Sequence, residues 1–178
     1  MLVSQAHDCA DQPNGPVTKG FPVTHNQPQS HVVAPRLPQT KPIDVYCDFD
    51  GTITTLDATD AVLEAFALPA WRDWESRWVQ GEITSQECLA RQIELIQADR
   101  DTLIEFAANL PIDEGFLALD RRCTEYGVPL TIVSDGIDLL VEAVLRRHGL
   151  LHLSVFSNHL RWNDDGRPTL SFPFAEKT

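Results

Sequence analysis

The chain has 178 residues, 43% of them hydrophobic and 22% charged, which is the balance of a globular protein and excludes a fibrous or fully disordered one. Its formal net charge of −12 at pH 7 argues against nucleic acid or an anionic membrane as partner. No apolar run reaches the roughly 18 residues of a membrane span, and Met1 to Asp11 has neither the basic start nor the apolar core of a secretory signal, so a cytoplasmic location is expected.

Residues 1–42 hold seven of the twelve prolines and three of the six histidines with little apolar periodicity. They read as a disordered, solvated leader. His7, His25 and His31 match no metal-ligand spacing there. The four cysteines (Cys9, Cys47, Cys88 and Cys123) are scattered without a CxxC pair and read as reduced thiols.

The ordered part is predicted to start near Lys41, with Pro42 as the last breaker before an apolar strand of Ile43, Val45, Tyr46 and Cys47. After Thr54 the periodicity becomes helical. Asp57, with Asp60 three residues on, is placed to cap a helix whose apolar positions are Ala58, Val62, Leu63 and Phe66. Asp57 and Asp60 are read as capping residues in preference to substrate contacts. Trp71, Trp74 and Trp78 at helical spacing are read as the core of a small helical unit rather than as a lid lining. Thr84 with Glu87 forms a capping box before Leu89, Ile93 and Ile96, and Asp99 or Asp101 opens a fourth helix. Residues 57–110 thus read as an all-helical cap inserted after the first strand.

A helix ending at Gly127 follows, then an apolar strand over Leu130–Val133, and then Ser134-Asp135-Gly136 between that strand and an amphipathic helix closed by Gly149. Leu151–Phe156 is a third strand candidate. Leu160–Trp162 and Thr169–Phe172 flank a hairpin turn at Asn163-Asp164-Asp165-Gly166. His148, His152 and His159 read as surface or strand residues. Strand, helices, strand, helix, strand implies an α/β fold: a doubly wound, mostly parallel sheet formed by 43–56 and 111–178, with the helical cap between.

Two strand ends are positioned for chemistry. Asp48 and Asp50 are two positions apart, so strand alternation would point both into the crevice at the sheet's carboxyl end. A carboxylate there can attack phosphorus and form an acyl phosphate, and a second can protonate the leaving oxygen and later take a proton from water. Gly51 permits a sharp turn that brings backbone N–H groups of the Gly51-Thr52 segment toward phosphoryl oxygens. The hydroxyl of Ser134 and the N–H groups of Asp135 and Gly136, at a helix N-terminus, suit a phosphate.

Asp48-Phe49-Asp50-Gly51-Thr52 after an apolar strand resembles the first motif of the haloacid dehalogenase-like hydrolases, and Ile132-Val133-Ser134-Asp135-Gly136 resembles their second. The Thr-Ile-Thr continuation and the helical insertion are similar to the phosphoserine phosphatase-like branch. The Ser-Asp-Gly form is similar to phosphatases of the methionine-salvage type, which act on a phosphorylated methylthio-keto-pentene. The resemblance covers roughly Ile43 to Phe174. It implies a phosphatase of small phosphorylated metabolites with Asp48 as nucleophile, Asp50 as general acid/base and Ser134 as phosphate ligand. It also implies Mg²⁺ bound by the Asp48 carboxylate and the Asp50 backbone carbonyl.

The family's third motif, a lysine, and its fourth, an acidic pair after a further strand, have no counterpart in the sequence and are expected beyond Thr178. Asp164 and Asp165 sit in a hairpin, and Lys177 follows no element that would aim it. Weak or no turnover is therefore expected of the chain alone. The alternatives are a non-catalytic remnant that binds phosphate or a protein partner, and a phosphotransferase that uses an alcohol acceptor. The oligomeric state stays open.

Overall fold

The computed structural model describes residues 42–175. The leader, apart from Pro42, lies outside the described residues, and so does Lys177.

Four strands form one sheet in the order β1 (Val45–Cys47), β2 (Leu130–Ile137), β3 (Ser154–Trp162) and β4 (Pro168–Ser171). β1 pairs with β2 in parallel, Val45 opposite Leu130 and Cys47 opposite Ile132. β2 pairs with β3 in parallel, and β3 turns back on β4 antiparallel. The hairpin is closed by Asn163, whose carbonyl accepts from the Gly166 N–H at 2.9 Å and whose side-chain oxygen accepts from the Arg167 N–H at 2.8 Å. The expected α/β class and mostly parallel sheet are found.

Three strand boundaries differ from the expectation. Ile43 stays outside β1 and is exposed. β2 does not stop at Val133 but continues through Ser134-Asp135-Gly136 to Ile137, because Ile137 pairs with Asn158 after a register shift and so keeps the backbone extended. Leu151–Phe156 and Leu160–Trp162 are not two strands: β3 begins at Ser154 and runs unbroken to Trp162.

The helices are α1 (Ala58–Phe66), α2 (Trp71–Val79), α3 (Ser85–Ile93), α4 (Arg100–Ala108), α5 (Glu114–Tyr126) and α6 (Asp138–Arg147). Short polar side chains start four of them by taking an otherwise unpartnered N–H. Asp57 accepts from Asp60, Thr84 from Glu87, Asp99 from Thr102, and Asp113 from Gly115 and Phe116. α5 ends at Gly127 in the left-handed conformation, φ 65°. None of the helices is long and apolar enough to cross a membrane.

One hydrophobic cluster joins Phe49 and Ile53 after β1, Val62 and Leu63 of α1, Leu103 and Ala107 of α4, and the buried face of α6. α4 packs directly on α6, whose Leu139, Leu140, Val141, Ala143, Val144 and Leu145 are all buried. α2 differs. It buries no residue and packs mainly on α3, with Arg72 reaching Glu64 of α1. Trp78 is 43% exposed, so the tryptophan stripe does not build a closed helical core as expected. Trp71 and Trp74 instead carry stacked arginines, Arg72 and Arg77, each 4.7 Å from the ring beneath it.

Leu103 is 0% exposed and Leu119, on α5, is 37% exposed. Leu103→Ala is expected to lower the unfolding free energy by about 2–5 kcal/mol, and Leu119→Ala by about 0.5 kcal/mol or less, in urea titrations. Equal losses at the two positions would contradict the packing of α4 into the shared core.

Candidate active site

The chain leaves β1 with Asp48 exposed, Phe49 fully buried and Asp50 partly buried in the turn that follows. Phe49 anchors this turn from inside. Its side chain joins the core while its carbonyl accepts from the N–H groups of Thr52, Ile53 and Thr54, at 3.3, 2.9 and 3.1 Å. Gly51 takes φ 67°, a conformation that side chains disfavour, and donates its N–H to the Leu56 carbonyl at 3.2 Å. The N–H groups of Gly51 and Thr52 are therefore engaged within the turn. Asp48 accepts from the neighbouring Phe49 N–H at 2.7 Å.

Asp50 is tied to two elements. Its Oδ1 accepts from the Ala58 N–H at the start of α1, at 2.7 Å, and its Oδ2 faces the Ser134 hydroxyl on β2, at 3.4 Å. Burial, the strongest influence, raises its pKa to about 6, with further increments from the Asp57 and Asp135 charges; the bonds from Ala58 and Ser134 oppose the rise. Such an acid is half-ionised at about pH 6.

Ser134 and Gly136 form the opposite wall. Ser134 is buried and its hydroxyl oxygen accepts from the Gly136 N–H at 2.9 Å. These residues end a strand rather than begin a helix. α6 starts only at Asp138, with Ile137 as a cap that offers no side-chain bond. The expected helix N-terminal N–H groups are accordingly not at Ser134-Asp135-Gly136. Asp138 instead ties the helix to the sheet, since its Oδ1 accepts from the Leu139 and Leu160 N–H groups and its Oδ2 from Arg161.

Gly136 is where backbone and carboxylate come closest. A Cβ at this position would lie 2.4 Å from Asp50 Oδ2, 3.0 Å from Ser134 Oγ and 3.4 Å from Thr59 Oγ1. Only glycine leaves Asp50 where it is.

A cavity of about 460 Å³ opens over these groups. Asp50, Ser134, Asp135 and Gly136 line it, whereas Asp48, Gly51 and Thr52 are not among its lining residues. The structure thus brings together four of the seven expected site residues. The far wall comes from α2 and α3, where Gln92 donates to Glu75 at 2.9 Å and the Cys88 thiol, beside Glu75, is pushed up to about 11 by burial and by that carboxylate. Trp78 and Phe156 add apolar surface, and Phe156 packs edge-on against Phe174 at 5.2 Å. Glu75, Gln92, Phe156 and Thr59 carry no distinguishing signal in the sequence. Glu75 and Gln92 reach the cavity because α2 and α3 fold back over the strand ends, Phe156 because it lies on β3, and Thr59 because it lies in the first turn of α1.

Among the described residues, no lysine, arginine or histidine lines the cavity, and the charges of Asp57 and Asp135 both act on Asp50. The region is electronegative and suits a cation. Among the described residues, however, no group of three or more His, Cys, Asp or Glu is arranged to hold a metal ion.

The family model for haloacid dehalogenase-like hydrolases matches residues 45–175. A 2-hydroxy-3-keto-5-methylthiopentenyl-1-phosphate phosphatase from Brevibacillus brevis is 30% identical over 138 residues, which cover 76% of the chain and 62% of that relative. One from Geobacillus thermodenitrificans is 34% identical over 107 residues, 59% of the chain and 49% of the relative. Among solved structures, a phosphoserine phosphatase holding a phospho-aspartyl intermediate analogue superposes with a TM-score of 0.57 at 18% identity, covering 74% of this chain and 64% of that one. The chain spans half to two-thirds of the length of these proteins.

Because folded Asp50 holds its proton up to about pH 6, its contribution to stability is complete below the unfolded value near 3.8 and is lost as pH rises through about 6. Asp50→Asn removes this loss. In metal-free urea titrations it is expected to raise the unfolding free energy at pH 7.5 by up to about 3 kcal/mol, a gain that vanishes at pH 3.5.

Proposed function

The chain belongs to the haloacid dehalogenase-like hydrolases, and on that basis we propose that it hydrolyses a small phosphomonoester through an aspartyl-phosphate at Asp48. The observation that carries this reading is Asp50. It is a carboxylic acid raised to about pH 6, held by the Ala58 N–H and facing Ser134 at the wall of a cavity. An acid with a pKa near the working pH is suited both to give and to take a proton.

In this mechanism the Asp48 carboxylate attacks phosphorus, and the bond from phosphorus to the ester oxygen breaks. Asp50 gives its proton to the departing alkoxide. Water then attacks the acyl phosphate and loses a proton to the Asp50 carboxylate, the bond from phosphorus to the Asp48 oxygen breaks, and phosphate leaves. Asp48 is exposed and bonded only to the adjacent Phe49 N–H, so its carboxylate is free to turn toward a bound ester. Ser134 donates to a phosphoryl oxygen, with Gly136 allowing close approach. Asp135, exposed at the rim, and the turn formed by Gly51 and Thr52 complete the phosphate end.

Mg²⁺ would be held by the Asp48 carboxylate and the Asp50 backbone carbonyl, and would offset the repulsion between a carboxylate nucleophile and a dianionic phosphate. The cavity, which has no basic lining residue among the described residues, supports this, while those residues supply only part of a coordination shell. For the rest of the substrate, the apolar wall of Trp78, Leu89 and Phe156 fits an uncharged tail. The names of the Brevibacillus and Geobacillus relatives support a phosphorylated methylthio-keto-pentene as that substrate.

Asp48→Asn is expected to abolish labelling by a ³²P-phosphomonoester in the presence of Mg²⁺ and to lower kcat at least about 10³-fold. Undiminished turnover in that variant would refute the nucleophile assignment. Added alcohols are expected to leave orthophosphate as the main product, whereas a phosphotransferase would divert phosphate to the alcohol.

A further inference from the structure

Thr59 occupies the second position of α1, in its first turn, and is 8% exposed. Its Oγ1 is buried with no hydrogen-bond partner, and among the described buried side-chain oxygens and nitrogens it alone has none. A hydroxyl left in this state costs about 1–3 kcal/mol. Its surroundings are not apolar, however. Thr59 lines the cavity, and Oγ1 lies 3.4 Å from the point where a Cβ of residue 136 would sit, the point that Asp50 Oδ2 and Ser134 Oγ also approach, at 2.4 and 3.0 Å. No side-chain atom of Gly136 intervenes between the two α1-side groups.

Ser134 is committed twice. Its oxygen accepts from the Gly136 N–H, and its single O–H points to Asp50 Oδ2 over a long 3.4 Å. One O–H cannot serve the carboxylate and a phosphoryl oxygen together. When Ser134 turns to a bound phosphoryl group, Asp50 Oδ2 loses its hydroxyl donor while Oδ1 keeps the Ala58 N–H. The carboxylate then needs a second donor from the side of α1, and an unpartnered hydroxyl stands there.

We propose that Thr59 is a positioning residue for Asp50: its hydroxyl takes over Asp50 Oδ2 when Ser134 is drawn to the phosphoryl group. This rests on the phosphatase reading above. The exchange is a hydrogen-bond swap without net proton transfer. It keeps the carboxylate aligned during the second half of the reaction, when Asp50 must accept a proton from the attacking water as the bond from phosphorus to Asp48 breaks. The first half, in which Asp48 attacks and Asp50 gives up its proton, depends less on the swap, because the neutral carboxyl group that donates then asks less of a second donor than the carboxylate that must accept the water's proton.

The test follows formation and decay of the ³²P-labelled protein with Mg²⁺ for the full chain, Thr59→Val and Thr59→Ser. Valine matches threonine in shape and removes only the hydroxyl, so the fold is retained; serine restores it. In Thr59→Val, labelling is expected to proceed at nearly the native rate while decay slows about tenfold, with KM changed less than about twofold. Thr59→Ser is expected to decay within about threefold of native. Native-like decay in Thr59→Val, or decay in Thr59→Ser as slow as in Thr59→Val, would overturn the proposal, the latter by pointing to packing alone. Absence of label on the native chain would instead refute phosphoryl transfer by this chain alone. In that case a crystal structure soaked in inorganic phosphate decides on Thr59: Oγ1 within hydrogen-bond distance of Asp50 Oδ2 is the expected result, and separated atoms overturn it.

Discussion

The site depends on one contact, the seating of the Asp50 carboxylate against a residue with no side chain. Oδ2 lies where a Cβ of residue 136 would come within 2.4 Å, so the acid and the backbone of β2 meet without an intervening atom. Everything else around Asp50 serves that seat. The buried Phe49 ring holds the turn from below, the Ala58 N–H fixes Oδ1, and Ser134 stands opposite Oδ2. Removal from water raises the pKa to about 6, and the nearby Asp57 and Asp135 add to the rise. A carboxyl group that would be an inert anion on the surface becomes an acid and base at working pH.

The same seat explains why the site spans two strand ends. The first supplies carboxylates on a turn that backbone bonds determine, three N–H groups converging on the Phe49 carbonyl. The second supplies a hydroxyl and a bare backbone. α2 and α3 add a wall with aromatic surface and a Glu75–Gln92 pair, neither of which touches Asp50 or Ser134 in a hydrogen bond. Chemistry and shape recognition thus come from different parts of the chain. On the proposed reading, a change of preferred substrate can arise in α2 and α3 while Asp50 keeps its surroundings.

The strand before Asp48 and the helix caps were legible because each has a local cause. Asp57, Thr84 and Asp99 cap the helices they precede, and the apolar run before Asp48 forms a strand. Ser134-Asp135-Gly136 was misread as the start of a helix, since serine and aspartate favour such caps and glycine favours turns. Pairing between Ile137 and Asn158, together with the bond from the Asn158 side chain to the Asp135 carbonyl, overrides that local preference and keeps the segment extended. The tryptophan spacing correctly indicated a helix but not its degree of burial, because periodicity says which side chains share a face and not what covers it. Simple alternation put Asp48 and Asp50 in one crevice, whereas the turn at Asp50 leaves Asp48 outside the cavity lining. Thr59 was invisible for a different reason: a threonine in a first helical turn is commonplace, and its lack of a partner exists only in three dimensions.

Asp50 and Ser134 are 84 residues apart in the chain, and five helices, four of them started by side-chain caps, lie between them. Closing a loop of that length costs entropy that grows as the logarithm of its size, whereas each helix forms from neighbours. The pairing of β1 with β2 carries that closure cost, which no helix between them does. Burial, the strongest influence on the raised pKa of Asp50, depends on that pairing, because it sets the backbone of Gly136 against the carboxylate. Its titration is thus a built-in reporter of completed folding, silent in any intermediate whose helices are formed but whose first two strands have yet to meet.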